Sequence, residues 1–178
     1  MTAARLPETD LTPVLRTDFS DDDSWRELLG EVDDGWVAVQ ADRSHEGLST
    51  AELLALVPEG SRYPVLVVAD AETFSGEERT LLVVDVADEP GRTFRAVPDA
   101  CRSAVGNLAI ANLGFDDYLR SVDESGVHRI TERHLRAHAE LEAALQHRPA
   151  LVPHQAMLAL STTARRRRSS AWRFRQMM

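Results

Sequence analysis

The stretch Pro64-Val65-Leu66-Val67-Val68-Ala69-Asp70 places five consecutive apolar residues between a proline and an aspartate. A strand that is covered on both faces has a nearly continuous apolar sequence of this length, because both rows of its side chains are buried. The stretch therefore predicts a central strand of an α/β sheet. Asp70 is then expected at the carboxyl end of that strand.

Two strand–helix pairs are predicted before this central strand. Residues 14–18 form a plausible first strand and residues 36–41 a second one. A helix is expected to begin at Ser20, where a serine precedes acidic residues that suit the positive end of the helix dipole. A second helix is expected after Ser49, which forms a capping-box pattern with Glu52.

The sequence after the central strand predicts a hairpin followed by helices. Residues 80–97 contain two apolar runs separated by the turn sequence Asp88-Glu89-Pro90-Gly91. Helices are expected over 98–111 and 116–122, and a last short strand over 126–130. The predicted fold class is α/β, with a mixed sheet that is mostly parallel, an antiparallel hairpin at one edge, and C-terminal helices.

The charge of the chain is divided between an acidic body and a basic end. All 20 basic residues are arginines, and the formal net charge is −9. Residues 1–128 hold 26 acidic residues and 10 arginines, a net of −16, whereas residues 129–178 hold 3 and 10, a net of +7. We therefore expect three parts: an acidic α/β domain (1–130), a helical extension (131–163) and an arginine-rich tail (164–178).

Several classes of protein are not expected from this sequence. The single cysteine, Cys101, excludes an intramolecular disulfide, which favours a reducing compartment. Residues 1–10 lack the apolar run of a secretory leader, and no apolar stretch reaches the length of a membrane span. We expect a cytoplasmic protein without a transmembrane segment.

Four aspartates lie at the ends of predicted strands and are the first candidates for a binding site: Asp18, Asp42, Asp70 and Asp85. Ligands of open α/β sheets bind beyond the carboxyl ends of the strands, and carboxylates gathered there can hold a divalent cation. The alternative is that each aspartate caps the next helix or closes a turn. The alternative is favoured, because the sequence has no lysine and no glycine-rich phosphate loop.

Two other sequence patterns give weak evidence for a metal site or a catalytic site. His134, His138 and Glu142 share one face of a predicted helix, but the spacing lacks the glutamate of a zinc-protease motif, so a solvated helix face is favoured. Cys101 lies in a predicted first helical turn, where a thiol can be activated, but burial as a small apolar residue is favoured. We therefore expect neither a metal ion nor a cofactor.

The tail combines arginines with aromatic residues. It could contact phosphates and bases, lie on an anionic membrane surface, or dock onto an acidic protein face, and it could equally be a solvated extension. The acidic body would repel nucleic acid, which lowers that option. The candidate binding residues of the tail are Arg165, Arg166, Arg167, Arg168 and Trp172.

Five segments resemble an uncharacterised domain family that is common in actinobacteria. They are Arg16-Thr17-Asp18-Phe19-Ser20-Asp21-Asp22, Leu81-Leu82-Val83-Val84-Asp85-Val86, Gly91-Arg92-Thr93-Phe94-Arg95-Ala96-Val97-Pro98, Asn107-Leu108-Ala109-Ile110-Ala111-Asn112 and Phe115-Asp116-Asp117-Tyr118.

The resemblance covers about residues 5–130 and implies no known activity. It therefore assigns no catalytic residue. The chain departs from the family pattern at Leu113-Gly114-Phe115, where a Met-Asp-Phe segment is usual, and it has no counterpart to that pattern after residue 130. The segment after residue 130 therefore takes no role from the resemblance.

These observations favour a non-enzymatic interaction or regulatory protein whose acidic domain binds another protein. A metal-dependent enzyme that uses the strand-end aspartates is the second hypothesis, and nucleic-acid binding through the tail is the third. Asn107 and Asn112 are secondary site candidates on a predicted helix, where asparagines can instead brace a neighbouring loop.

Overall fold

The structure, a computed structural model, describes residues 3–130 except Asp34 and Trp36. The predicted helical extension and the arginine-rich tail lie outside the described residues. The same holds for the candidate residues that they carry: His134, His138, Glu142, Arg165, Arg166, Arg167, Arg168 and Trp172.

Six strands and five α-helices occur in the described residues. The strands are β1 (Thr12–Arg16), β2 (Val37–Gln40), β3 (Val65–Ala69), β4 (Leu81–Asp85), β5 (Thr93–Ala96) and β6 (Val127–His128). The helices are α1 (Asp22–Val32), α2 (Thr50–Ala55), α3 (Ala71–Ser75), α4 (Pro98–Ala109) and α5 (Phe115–Leu119), and a 3-10 turn spans Arg43–His45.

The six strands form one mixed sheet in the order β2-β1-β3-β4-β5-β6. Strands β2, β1 and β3 are parallel, β4 is antiparallel to both of its neighbours, and β6 is parallel to β5. Within the described residues β4 is thus the one strand that runs against the other five. The mixed, mostly parallel α/β sheet is confirmed, and β6 adds to the outer side of the predicted β4–β5 hairpin.

The central strand β3 is buried on both faces, as its sequence predicts. Val65 and Val67 belong to a core shared with α1, α4 and α5, whereas Leu66 and Val68 belong to a core shared with α2. All four side chains are at most 2% exposed. Helices α1 and α4 also contact each other, so they lie side by side on one face of the sheet.

The two predicted helix starts differ in outcome. Ser49 caps α2 as expected: its hydroxyl accepts from the Glu52 N–H, and the Glu52 carboxylate accepts from the Ser49 N–H. The predicted start at Ser20 is wrong by one residue. The Asp21 carboxylate accepts the first free N–H groups of α1, while the Ser20 N–H donates to Asp18. A carboxylate at this position meets the positive end of the helix dipole as well.

Candidate functional site

The structure separates the four strand-end aspartates into two groups. Strands β1, β2 and β3 are parallel, so their carboxyl ends form one edge of the sheet. The residues that follow these ends are Asp18, Asp42 and Asp70. Asp85 pairs in register with Val65, the first residue of β3, and therefore lies at the opposite edge. At about 3.3 Å per residue, the length of β3 places Asp70 and Asp85 roughly 17 Å apart. The four carboxylates do not share one site.

The carboxylates at the first edge bind the backbone of their own loops. Asp18 accepts from the Ser20 N–H at 2.8 Å, and Asp42 accepts from the Ser44 N–H at 2.8 Å. The hydrogen bonds from the Ser44 backbone and side chain lower the pKa of Asp42. Both aspartates thus cap the turn that follows them, as the favoured alternative predicts.

Asp70 has a structural role of the same kind and an ion pair in addition. Its carboxylate accepts from the Thr73 N–H at 3.1 Å, which caps α3. The Arg95 guanidinium donates to the other oxygen of Asp70 at 2.6 Å, and Glu72 lies 2.8 Å from the same nitrogen. Asp70 therefore joins the end of β3 to β5, and both of its oxygens are occupied.

Asp85 closes the turn between β4 and β5. It is 2% exposed and pairs with Arg92, whose guanidinium also contacts Asp116 at 2.6 Å. Burial acts to raise the pKa of Asp85, but the hydrogen bonds from Arg92 and from two backbone N–H groups outweigh it and leave the pKa below its ordinary value.

The remaining candidates of the described residues, Cys101, Asn107 and Asn112, are also buried or bonded within the domain. Cys101 is buried, and burial raises the pKa of its thiol to about 12, so it is not an activated nucleophile. The Asn112 amide donates to Asn107, and the Asn107 amide donates to the Ser103 carbonyl, each at 2.8 Å. These bonds brace the loop that follows α4.

The described residues contain no group of three or more histidine, cysteine, aspartate or glutamate side chains that could hold a metal ion. Over the same part of the chain, no helix has the length and apolar sequence needed to cross a membrane.

An apolar groove of about 650 Å³ lies between α1 and α4, at the edge of the sheet where β1 and β2 begin. We call it the α1–α4 groove. Its floor consists of buried or half-buried apolar side chains from β1, β2, β3, α1 and α4: Val14, Val32, Val37, Val67, Cys101 and Val105. The volume and the mainly apolar lining are typical of binding sites in proteins.

The exposed apolar side chains of the described residues gather around this end of the fold. The large apolar residues that are exposed there are Leu11, Ile110 and Leu113, with exposures of 37%, 75% and 41%. Leu11 and Ile110 line the α1–α4 groove. Leu113 lines a second cavity, of about 330 Å³, at the end of α4. Single exposed apolar residues are ordinary, so it is the position of Leu11 and Ile110 beside an apolar groove that makes this surface the candidate site.

Two charged side chains of opposite sign line the groove, Asp10 and Arg102. Asp10 lies 3.6 Å from the Arg62 guanidinium, and Asp33, outside the lining, follows Val32 at the C-terminal end of α1. Helices α1 and α4 both end beside the groove, and neither has a basic residue in its last turn. The Arg102 guanidinium lies 3.3 Å from Asp99.

The sequence does not predict this groove, because its lining comes from five elements that only the fold brings together. One feature of the sequence points to it. Val105 and Leu108 continue the core-facing repeat of α4, whereas Ile110 falls outside that repeat and is exposed. A large apolar residue outside the buried face of an amphipathic helix is the kind of feature that indicates a binding surface.

Comparison with known proteins identifies one family for this part of the chain. The family described as a domain of unknown function, DUF6924, matches residues 11–131. This match confirms the resemblance to an uncharacterised domain family, and it includes every residue that lines the α1–α4 groove except Asp10. No curated protein matches the chain.

Proposed function

The chain belongs to the DUF6924 family of domains of unknown function. From the geometry of its groove we propose that it is a non-enzymatic protein-interaction or regulatory module, and from its single cysteine, which favours a reducing compartment, that it acts in the cytoplasm. Its α1–α4 groove receives a segment of another protein. The observation that carries the proposal is the position of Ile110, which is 75% exposed at the edge of an apolar groove. Covering such a side chain and the groove beside it would remove apolar surface from water, which is the main driving force of protein association.

The alternative of a metal-dependent enzyme has less support. It requires Asp18 and Asp70 to share a site with Asp42 or Asp85, yet each of these carboxylates already accepts hydrogen bonds from its own loop. Asp85 also lies at the other edge of the sheet. The alternative of nucleic-acid binding concerns Arg165–Arg168 and Trp172, which lie outside the described residues, so it stays a prediction.

Two glycines allow a matched test of the groove. Gly106 in α4 lines the groove and Gly30 in α1 does not, and a Cβ added at either position meets no atom within 4 Å. Both glycines are exposed and helical. Gly106→Phe therefore places a ring in the groove, whereas Gly30→Phe places the same ring elsewhere on the surface.

The experiment is affinity capture from native lysate with the full-length protein and these two variants. We expect a stoichiometric partner on the wild type and on Gly30→Phe, and at least a tenfold lower recovery on Gly106→Phe. Thermal unfolding midpoints within a few degrees of the wild type show that both variants are folded. The proposal fails if no stoichiometric partner is recovered, or if Gly106→Phe captures the partner as well as Gly30→Phe does.

A further inference from the structure

We infer that the partner segment of the α1–α4 groove is a basic amphipathic helix, with aliphatic residues on one face and arginine or lysine residues beside them. This inference rests on the proposed function, because it specifies which kind of segment the groove receives. The charge of the domain, the ends of the two helices that border the groove, and the volume and apolar lining of the groove support it.

The C-terminal end of α1 carries charge of the sign that its dipole disfavours. A helix C-terminus bears a partial negative charge and is stabilised by basic residues. Here the last turn of α1 has no basic residue, and Asp33 stands directly after it with an exposed side chain. An arrangement that costs stability in the free domain becomes favourable when a cation is placed beside it. Departures of this kind from local rules are typical of functional sites.

The C-terminal end of α4 also lacks a compensating positive charge, and it lies beside the same groove. Its last turn also lacks a basic residue, so a second partial negative charge lies beside Ile110. Ala111, immediately beyond, has a φ of +52°, a left-handed conformation that is unfavourable for alanine. Strain of this type is concentrated at functional sites.

The two charged side chains that line the groove are each paired. Asp10, an exposed carboxylate, lies 3.6 Å from the Arg62 guanidinium, and Arg102 lies 3.3 Å from Asp99. The preference for a cationic partner therefore comes from Asp33, from the two helix ends and from the net charge of −16 over residues 1–128, which also favours the approach of a cation.

The apolar surface fits the anchors of a helix. The groove volume of about 650 Å³ accommodates a few side chains, with the backbone of the partner remaining above Leu11 and Ile110. Residues four apart on a helix project from the same face with Cβ atoms about 5–6 Å apart, so two successive aliphatic residues of one helical face can enter the same groove. Basic residues beside these anchors then reach Asp10, Asp33 and the two helix ends.

Three synthetic peptides of 18 residues test this inference against the full-length protein. The first contains leucine and lysine with the leucines on one helical face. The second has the same composition in an order that spreads the leucines around the helix. The third keeps the first pattern with glutamate in place of lysine. Binding is measured by fluorescence anisotropy of labelled peptide at two salt concentrations.

We expect the patterned leucine–lysine peptide to bind at least tenfold more tightly than the permuted one, and more weakly at high salt. The leucine–glutamate peptide should show no binding. Gly106→Phe should reduce the affinity at least tenfold, and Gly30→Phe should leave it unchanged. The double variant Asp10→Asn/Asp33→Asn should lose three- to tenfold, whereas Glu77→Gln/Glu124→Gln, which removes the same charge from two exposed sites elsewhere, should lose less than twofold.

Any one of three peptide-binding results would overturn the inference. The permuted peptide binds as tightly as the patterned one, the glutamate peptide binds more tightly than the lysine peptide, or Gly106→Phe binds the lysine peptide like the wild type. A concentration-dependent dimer that Gly106→Phe dissociates would also overturn it, since the occupant would then be a second copy of the chain. If lysate capture still depends on Gly106 in these cases, the interaction function stands and only the chemistry of the partner is wrong.

Discussion

Asp85 and Arg92 form a paired contact in which one carboxylate oxygen accepts from two guanidinium nitrogens, at 2.7 Å from Nη2 and 3.2 Å from Nε. The other oxygen accepts from the N–H groups of Ala87 and Asp88 at 3.1 and 3.0 Å. Charge-assisted bonds of this kind are among the strong polar interactions of proteins. Asp85 therefore fixes the hairpin turn and leaves no free carboxylate oxygen for a ligand.

The first prediction concerns the loss of this buried charge. Asp85→Asn keeps the size of the side chain but removes the negative charge that pairs with Arg92. The Arg92 side chain is only 22% exposed. Because Arg92 retains its contact with Asp116, we expect a loss of roughly 2–3 kcal/mol in the free energy of unfolding, at the low end for a broken buried pair. Urea unfolding measures it, with Asp88→Asn on the exposed side of the same turn as the control. Equal losses for the two variants would contradict the assignment.

The second prediction is the pH dependence that this pair produces. The folded state holds the pKa of Asp85 below its ordinary value, so the unfolded chain binds a proton at higher pH than the folded one. The stabilisation is fully present above the ordinary pKa of an aspartate, near 4, and is lost as the pH falls through the lower folded value. We expect the free energy of unfolding to fall less steeply below pH 4 in Asp85→Asn than in the wild type. Parallel curves would exclude a contribution of Asp85.

The third prediction concerns Cys101 at alkaline pH. Burial raises its thiol pKa from an ordinary value of 9.0 to about 12, so the unfolded chain releases the proton first. The stabilisation is complete below pH 9 and is lost as the pH rises toward 12. At pH 10 the ionisation of the unfolded thiol lowers the free energy of unfolding by roughly 1 kcal/mol. Between pH 8 and pH 10 the wild type should therefore lose about that much more stability than Cys101→Ala.

A reactivity measurement provides the control for this assignment. The native thiol should react with a soluble disulfide reagent far more slowly than the thiol of the urea-unfolded protein, because the nucleophile is the thiolate and the folded state suppresses it. Rapid reaction of the native protein at pH 8 would show that Cys101 is not buried as the structure has it.

The sequence predicts those parts of this fold that depend on local patterns. The apolar run of residues 65–69 predicts β3, Asp88–Gly91 predicts the hairpin turn, and Ser49 with Glu52 predicts the start of α2. The sequence does not predict the short helix α3, because its five residues have no apolar repeat and its start depends on the reciprocal Asp70–Thr73 bonds.

The site was harder to predict, because it depends on strand direction and on packing. In the sequence, Asp85 is the last residue of β4 and Asp70 directly follows β3. Because β4 runs antiparallel to β3, Asp85 lies at the opposite edge of the sheet from Asp70. The α1–α4 groove joins residues as distant in sequence as Leu11 and Ile110. No local pattern relates two such positions, so they become neighbours only when α1 and α4 pack on the same face of the sheet.

The last prediction tests the strain at the end of α4. Ala111 has a φ of +52°, and the N–H of Asn112 bonds to the Asn107 carbonyl at 2.9 Å, which is the helix ending that normally carries glycine at the position of Ala111. Ala111→Gly removes a conformational cost of about 1–2 kcal/mol and adds freedom to the unfolded chain worth about 0.4–1 kcal/mol. We expect a net gain of roughly 0.5–1 kcal/mol in the free energy of unfolding.

The matched control for this prediction is Ala109→Gly, the same substitution two residues earlier. Ala109 is exposed and still helical, so a glycine there should cost about 0.5 kcal/mol, because it gains nothing in the helix and loses more entropy on folding. The two substitutions should thus shift the urea midpoint in opposite directions at an unchanged denaturant dependence. A loss of stability in both variants would mean that Ala111 is not strained. The conformation of Ala111 would then give no support to a binding role for the end of α4.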